Sequence, residues 1–177
     1  EAVFDAYIIA LHEMGHNLGL QHGGEDNVNW KPNYPSYMNY EFGFTIDGSP
    51  KTIAGTALRL SAGLLPSIDE CALVEQGAFA GVPAEQIAYL AKMDKPWSVS
   101  GDGSVDWNGN GTLDASPYEQ IVRSSTFEWA AQPFPGCQLL KDSDDVATIT
   151  AHLADGLPAN PKKQPQPLEI GVPRWVP

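Results

Sequence analysis

The residues of this chain most able to do chemistry lie in one run: His12-Glu13-Met14-Gly15-His16-Asn17-Leu18-Gly19-Leu20-Gln21-His22. A spacing of four sets His12 and His16 on one face of a helix, one turn apart. Glu13, beside the first histidine, can reach a water at a metal held by those rings without ligating the metal itself. Gly19 falls where such a helix has to stop, because glycine accepts the left-handed backbone that ends a helix and turns the chain back. That reversal carries His22 toward the other two rings. Three imidazole nitrogens leave the fourth position of a tetrahedral Zn²⁺ open to water, the arrangement of a catalytic rather than a structural site. The rival reading is an amphipathic helix with two surface histidines and an unrelated third. It must gather three of the chain's 4 histidines into this pattern by accident.

The run from His12 to His22 resembles the extended zinc signature of the metzincin metallopeptidases, in which three histidines hold the metal and a glutamate is the general base. That clan carries a methionine in a later tight turn beneath the metal, and Pro35-Ser36-Tyr37-Met38-Asn39-Tyr40 is the matching stretch here. By this resemblance Met38 is structural, and the spacing Met38-x-Tyr40 is similar to the astacin-like, serralysin-like and pappalysin-like branches. There a tyrosine two residues after the methionine reaches the zinc, so Tyr40 would bind the resting metal or support the oxyanion. Its alternative role is a half-buried aromatic with a wet hydroxyl. The stretch from His12 to about Asp114 looks like secreted bacterial and archaeal metzincin-type proteases, diffusely outside the two motifs.

The resemblance implies an α+β fold, mostly helix and loop: a metzincin-like catalytic domain represented chiefly by its lower subdomain, with the active-site helix and the Met-turn. Metzincins set a twisted sheet and its helices ahead of that helix, and eleven residues precede His12. The expectation is therefore a mature product or excised fragment, with a separate N-terminal piece as the partner that completes the cleft. The implied function is a zinc-dependent endopeptidase acting on protein or peptide substrates, with Glu13 as base. The alternative is a catalytically silent zinc- and calcium-stabilised binding or structural module derived from a protease.

Composition narrows the field. Twenty-two acids against 10 bases give a net charge of −12, which argues against nucleic acid as a partner. No apolar run approaches the length of a membrane span. The 177 residues suffice for one domain with a real core, expected over 1–157, while 158–177 holds six prolines and reads as an extended tail or linker. Cys71 and Cys137 stand far apart and outside any C-x-x-C pair. Because the protease resemblance implies a secreted, oxidising setting, one disulfide between them is expected, with buried free thiols as the alternative.

A second cation is suggested by Asp106-Trp107-Asn108-Gly109-Asn110-Gly111-Thr112-Leu113-Asp114. Asp106, Asn108 and Asn110 offer oxygens at positions 1, 3 and 5, glycine is sixth, the Thr112 carbonyl seventh and Asp114 ninth, the beginning of a calcium loop. Pro117 occupies the twelfth position, where a bidentate acid belongs. Either Glu119 or a distant acid replaces it, or the loop is an Asn-Gly turn that binds nothing.

The supporting elements read as a helix over 3–17 and irregular loop over 23–50. Short helices follow, opened by Ser67-Ile68-Asp69-Glu70 and by Pro83-Ala84-Glu85-Gln86. A late helix over 142–154 ends at Gly156, with His152 as a surface residue on it. Strands are expected at Thr45–Ile46, Val105–Trp107 and near Ile121.

Overall fold

A computed structural model of the chain describes residues 2–43, 60–93, 95–123 and 136–155. Helix α1 (Ala2–Asn17) runs straight into the histidine motif and is followed by the one-turn helix α2 (Tyr40–Gly43). Then come strand β1 (Ile68–Asp69), helix α3 (Ala84–Ile87), a 3₁₀ turn (Leu90–Lys92), strands β2 (Ser98–Val99), β3 (Val105–Asp106) and β4 (Leu139–Leu140), and helix α4 (Asp145–Ala154). Two antiparallel pairs, β1 with β4 and β2 with β3, are the sheets among the described residues. This content is compatible with an α+β class, and most of the described chain is loop and turn.

Helix α1 ends by a mechanism that its sequence spells out. Leu20 N–H donates to the Gly15 carbonyl at 3.0 Å and Gly19 N–H to that of His16 at 3.0 Å. These are the two bonds of a Schellman motif, closed by Gly19 at φ +95°. Helix α4 begins where Asp144 accepts from Ala147 N–H, an aspartate cap two residues inside the expected start.

Two apolar clusters organise the body. The smaller lies under the histidine helix: Leu20, Tyr34, Tyr37 and Met38, with Leu11, Leu60 and Ile149 against it. The larger gathers Phe42, Leu73, Phe79, Leu90, Val105, Trp107 and Leu140 among others. Beside the β1–β4 pair, Cys71 and Cys137 form a disulfide with Cα atoms 5.1 Å apart. Next to it the buried Glu70 carboxylate accepts from the backbone N–H of Val122 and Arg123 and pairs with the Arg123 guanidinium at 2.7 Å. Full pairing keeps this buried charge tolerable.

Several expectations need correction. Ser67–Glu70 does not open a helix: Ile68–Asp69 is strand, registered as Ile68↔Leu140 and Asp69↔Leu139. The serine and early acids fit a helix start locally, but pairing with a segment seventy residues away prevails. Over the described residues 119–123, around Ile121, the chain forms no strand, because the Val122 and Arg123 amides are taken by the Glu70 side chain. Pro83 caps α3 with extended geometry (ψ 135°) instead of occupying its first turn. The β3 strand falls where expected. Thr45–Ile46, Gly156 and the tail 158–177 lie outside the described residues.

Candidate metal centre

His12 and His16 project from the last two turns of α1, and the Schellman reversal returns the chain so that His22 joins them. One ligand atom from each ring lies within 4.8 Å of the other two, and among the described residues this is the one cluster of three or more His, Cys, Asp or Glu side chains that could hold an ion. Each α1 ring is oriented from behind. His12 Nδ1 lies 2.9 Å from the Tyr37 carbonyl, and His16 Nδ1 lies 2.8 Å from that of Leu20. A carbonyl only accepts, so both Nδ1 atoms carry the proton and both Nε2 atoms present lone pairs.

Those two Nε2 atoms face each other at 3.1 Å. With neither protonated, the contact is no hydrogen bond, and two bare lone pairs at that distance repel. A shared cation removes the conflict. Tetrahedral ligands about 2.0–2.1 Å from zinc sit roughly 3.3 Å from one another, close to the separation found. The donor set therefore fits a metal that accepts imidazole nitrogen. Burial disfavours charge on the rings: His12 and His22 are each pushed down from 6.5 to about 4, first by desolvation, with neighbouring histidines adding to the effect. Rings that resist protonation stay available as ligands. The His22 ring also hydrogen-bonds the Asn27 side chain.

The ground beneath the rings is the turn over 36–39. Asn39 N–H donates to the Ser36 carbonyl, and Met38 N–H to Ser36 Oγ at 3.2 Å. Met38 is fully buried and lies so close to α1 that a Cβ added at Gly15 would stand 2.3 Å from its sulfur. Gly15 is thus what lets the methionine seat beneath the helix, a role the motif's spacing does not reveal.

Asp145, at the start of α4, holds this turn from behind. Its carboxylate accepts from Tyr34 Oη at 2.7 Å, Ser36 Oγ at 2.7 Å and Ser61 N–H at 2.8 Å. Lys31, fully buried, donates to the carbonyls of Gly23 and Lys141, each at 2.8 Å, and pairs with Asp26. The segment after His22 is thereby tied to the approach to α4. Neither Asp145 nor Lys31 carries a local signal in the sequence, since their partners lie as far as 111 residues away.

Tyr40 comes over the rings, its centroid 5.4 Å from that of His12 and 4.5 Å from that of His22. Glu13 is half-buried on α1 beside His12. His152, expected at the surface as a bystander, is half-buried and stands over Gly19, with Nδ1 3.4 Å from the Leu18 carbonyl. It is not part of the histidine cluster.

The 106–114 loop is satisfied by its own backbone. Asp106 accepts from the amides of Asn110 and Gly111, Asn108 from that of Asn110, and Asn110 from the Thr112 amide and hydroxyl. Asn108 turns its amide nitrogen, not its oxygen, toward Asp114 at 2.9 Å. Glu119 is exposed. The acid that does reach the loop is the buried Glu75, which accepts from Trp107 N–H, Asp114 N–H and the Tyr118 hydroxyl. These side chains, calcium ligands by expectation, therefore already serve as the loop's internal scaffold.

No helix among the described residues is long and apolar enough to cross a membrane. Compared with protein-family models, curated proteins and solved structures, the chain matches none of them.

Proposed function

We propose that the protein is a secreted, metzincin-type zinc endopeptidase that hydrolyses peptide bonds with Glu13 as general base. The observation that carries this reading is the convergence of three histidine nitrogens, with Glu13 next to His12 in sequence and outside the cluster. A structural site would fill the fourth position with another protein ligand. The Cys71–Cys137 bridge supports an oxidising compartment.

His12, His16 and His22 would hold the ion through nitrogen. Bound zinc supplies polarisation of the scissile carbonyl and a more acidic water at neutral pH. Glu13 takes a proton from the attacking water and passes it to the departing amine, acting first as base and then as acid. Tyr40 donates a hydrogen bond to the oxyanion as charge develops there. The backbone carbonyls of Tyr37 and Leu20 fix the rings of His12 and His16, so that these need no reorganisation when substrate arrives.

The test is cleavage of a quenched fluorescent peptide library by parent and Glu13→Gln protein of equal zinc content, with and without 1,10-phenanthroline. Chelator-sensitive turnover should fall by at least about 100-fold in the variant. Cleavage at the parent rate by zinc-loaded Glu13→Gln overturns the assignment. Tight peptide binding without turnover by the parent would mark a silent module instead.

A further inference from the structure

Trp30 is the one non-glycine residue with positive φ among the described residues, at +64°. An L-residue with a bulky side chain adopts this region at a cost, and such outliers persist where their surroundings over-determine them. Here they do. The Trp30 N–H lies between two side-chain oxygens, Asn29 Oδ1 at 2.8 Å and Asn39 Oδ1 at 3.0 Å. Asn39 is itself locked, donating to the carbonyls of Lys31 and Tyr34. Asn29 Oδ1 also receives the Tyr40 N–H at 3.0 Å, so one oxygen fixes the backbone of both aromatic residues. The Trp30 indole is 5% exposed. It meets the Tyr40 ring in a T-shaped contact, centroids 5.7 Å apart at 64°. Tyr40 in turn lies against His22 and His12.

A relaxed backbone at residue 30 would aim the indole elsewhere and leave the back of the phenol without this edge. We infer that Trp30 is a positioning residue, whose left-handed backbone drives its indole against Tyr40 and holds the phenol ring against the histidine cluster. The inference deepens the proposed function and rests on it for the role of Tyr40, but not for its readout.

Copper(II) alone is the probe, since it binds nitrogen sites at least as tightly as zinc and a phenolate bound to it absorbs in the visible. Copper-loaded parent protein should show that charge-transfer band, and Tyr40→Phe should lose it. Trp30→Gly accepts the same backbone but lacks the ring, and should lose at least half of the band's intensity at unchanged copper stoichiometry. Trp30→Leu keeps apolar bulk but offers no ring edge. It must show the same loss, and it replaces the glycine variant if that one does not fold. Trp30→Phe restores the band. In the zinc enzyme, Trp30→Leu should lower kcat by about tenfold to a hundredfold with little change in KM, the scale of a misplaced catalytic group.

A band that survives Tyr40→Phe, a parent without one, or a Trp30→Leu spectrum and kcat equal to the parent's overturns the inference. Those results leave the Glu13 assignment standing. A parent that cleaves no peptide in a chelator-sensitive way sinks the peptidase reading, while the copper spectra still decide the role of Trp30.

Discussion

Replacing Gly19 with alanine should expose two separate demands on one glycine, and a double-mutant cycle with His152 can separate them. The first demand is conformational: at φ +95° an L-residue is strained by about 1–2 kcal/mol. The second is spatial. A Cβ at this position would stand 2.0 Å from Nδ1, 2.6 Å from Cε1 and 2.9 Å from Cγ of the His152 ring. The ring must then leave its place over the end of α1, at an overpacking cost of about 1–3 kcal/mol. Gly19→Ala should therefore destabilise the zinc-saturated protein by about 3 kcal/mol in urea unfolding. Its Tm should fall by roughly 6–12 °C, taking about 2–4 °C per kcal/mol for a domain of this size. In a His152→Ala background the crowding disappears, and the same substitution should cost only the conformational part, about 1–2 kcal/mol. A coupling energy of about 1–2 kcal/mol is thus expected, well above the roughly 0.5 kcal/mol of non-interacting sites. Coupling below that level would refute the crowding argument. A Gly19→Ala protein as stable as its parent would refute the conformational one as well.

Other outcomes can be checked on the same material. Asp145→Asn sets an amide N–H₂ against a site where Tyr34, Ser36 and Ser61 all donate, so it should cost about 1–3 kcal/mol of stability and weaken zinc retention in a competition assay with a chelator. Zinc-free protein should lose stability as the pH falls from 6.5 towards about 4. Over that window the unfolded chain protonates His12 and His22 while the folded chain keeps them neutral. Each ring is worth up to about 3 kcal/mol, offset in part by Asp142 and Asp145, whose carboxyls burial pushes up and which therefore favour the fold as they protonate. Chemical denaturation at a series of pH values checks this, and a flat profile between about pH 7 and 5 would contradict it. Replacing Cys71 and Cys137 by serine opens a loop of sequence separation 66 and should cost about 4 kcal/mol. Bound zinc should stay near one equivalent by elemental analysis, because the bridge lies beside the β1–β4 pair and not at the histidines.

What the sequence made legible was local. The spacing of His12, His16, Gly19 and His22 lies within a few turns of helix, and a Schellman stop follows directly from the glycine. The turn at Met38 could be read from proline, asparagine and tyrosine in a short window, and the late helix over 142–154 from its opening aspartate and the glycine expected to end it. The contacts that hold these pieces together could not. Lys31, Asp145 and Glu75 look like ordinary surface charges in a one-dimensional pattern, yet each is buried and fully partnered across long stretches of chain. The strand at Ile68–Asp69 was obscured because its pairing with Leu139–Leu140 outweighs a plausible helix cap. The left-handed Trp30 is equally hidden, since nothing in a tryptophan between two polar neighbours predicts φ above zero.

The reliance of the Ser36 turn on Asp145 has a consequence for the order of events at the ribosome. A nascent chain that has emerged only as far as residue 140 owns all three imidazoles, Glu13 and Met38, yet lacks the carboxylate that receives Tyr34, Ser36 and Ser61. Its histidines are tethered to a turn without a brace. If the three rings take an ion, as proposed, its firm binding waits on the docking of α4 against the Ser36 turn, and so comes late in the synthesis of the chain.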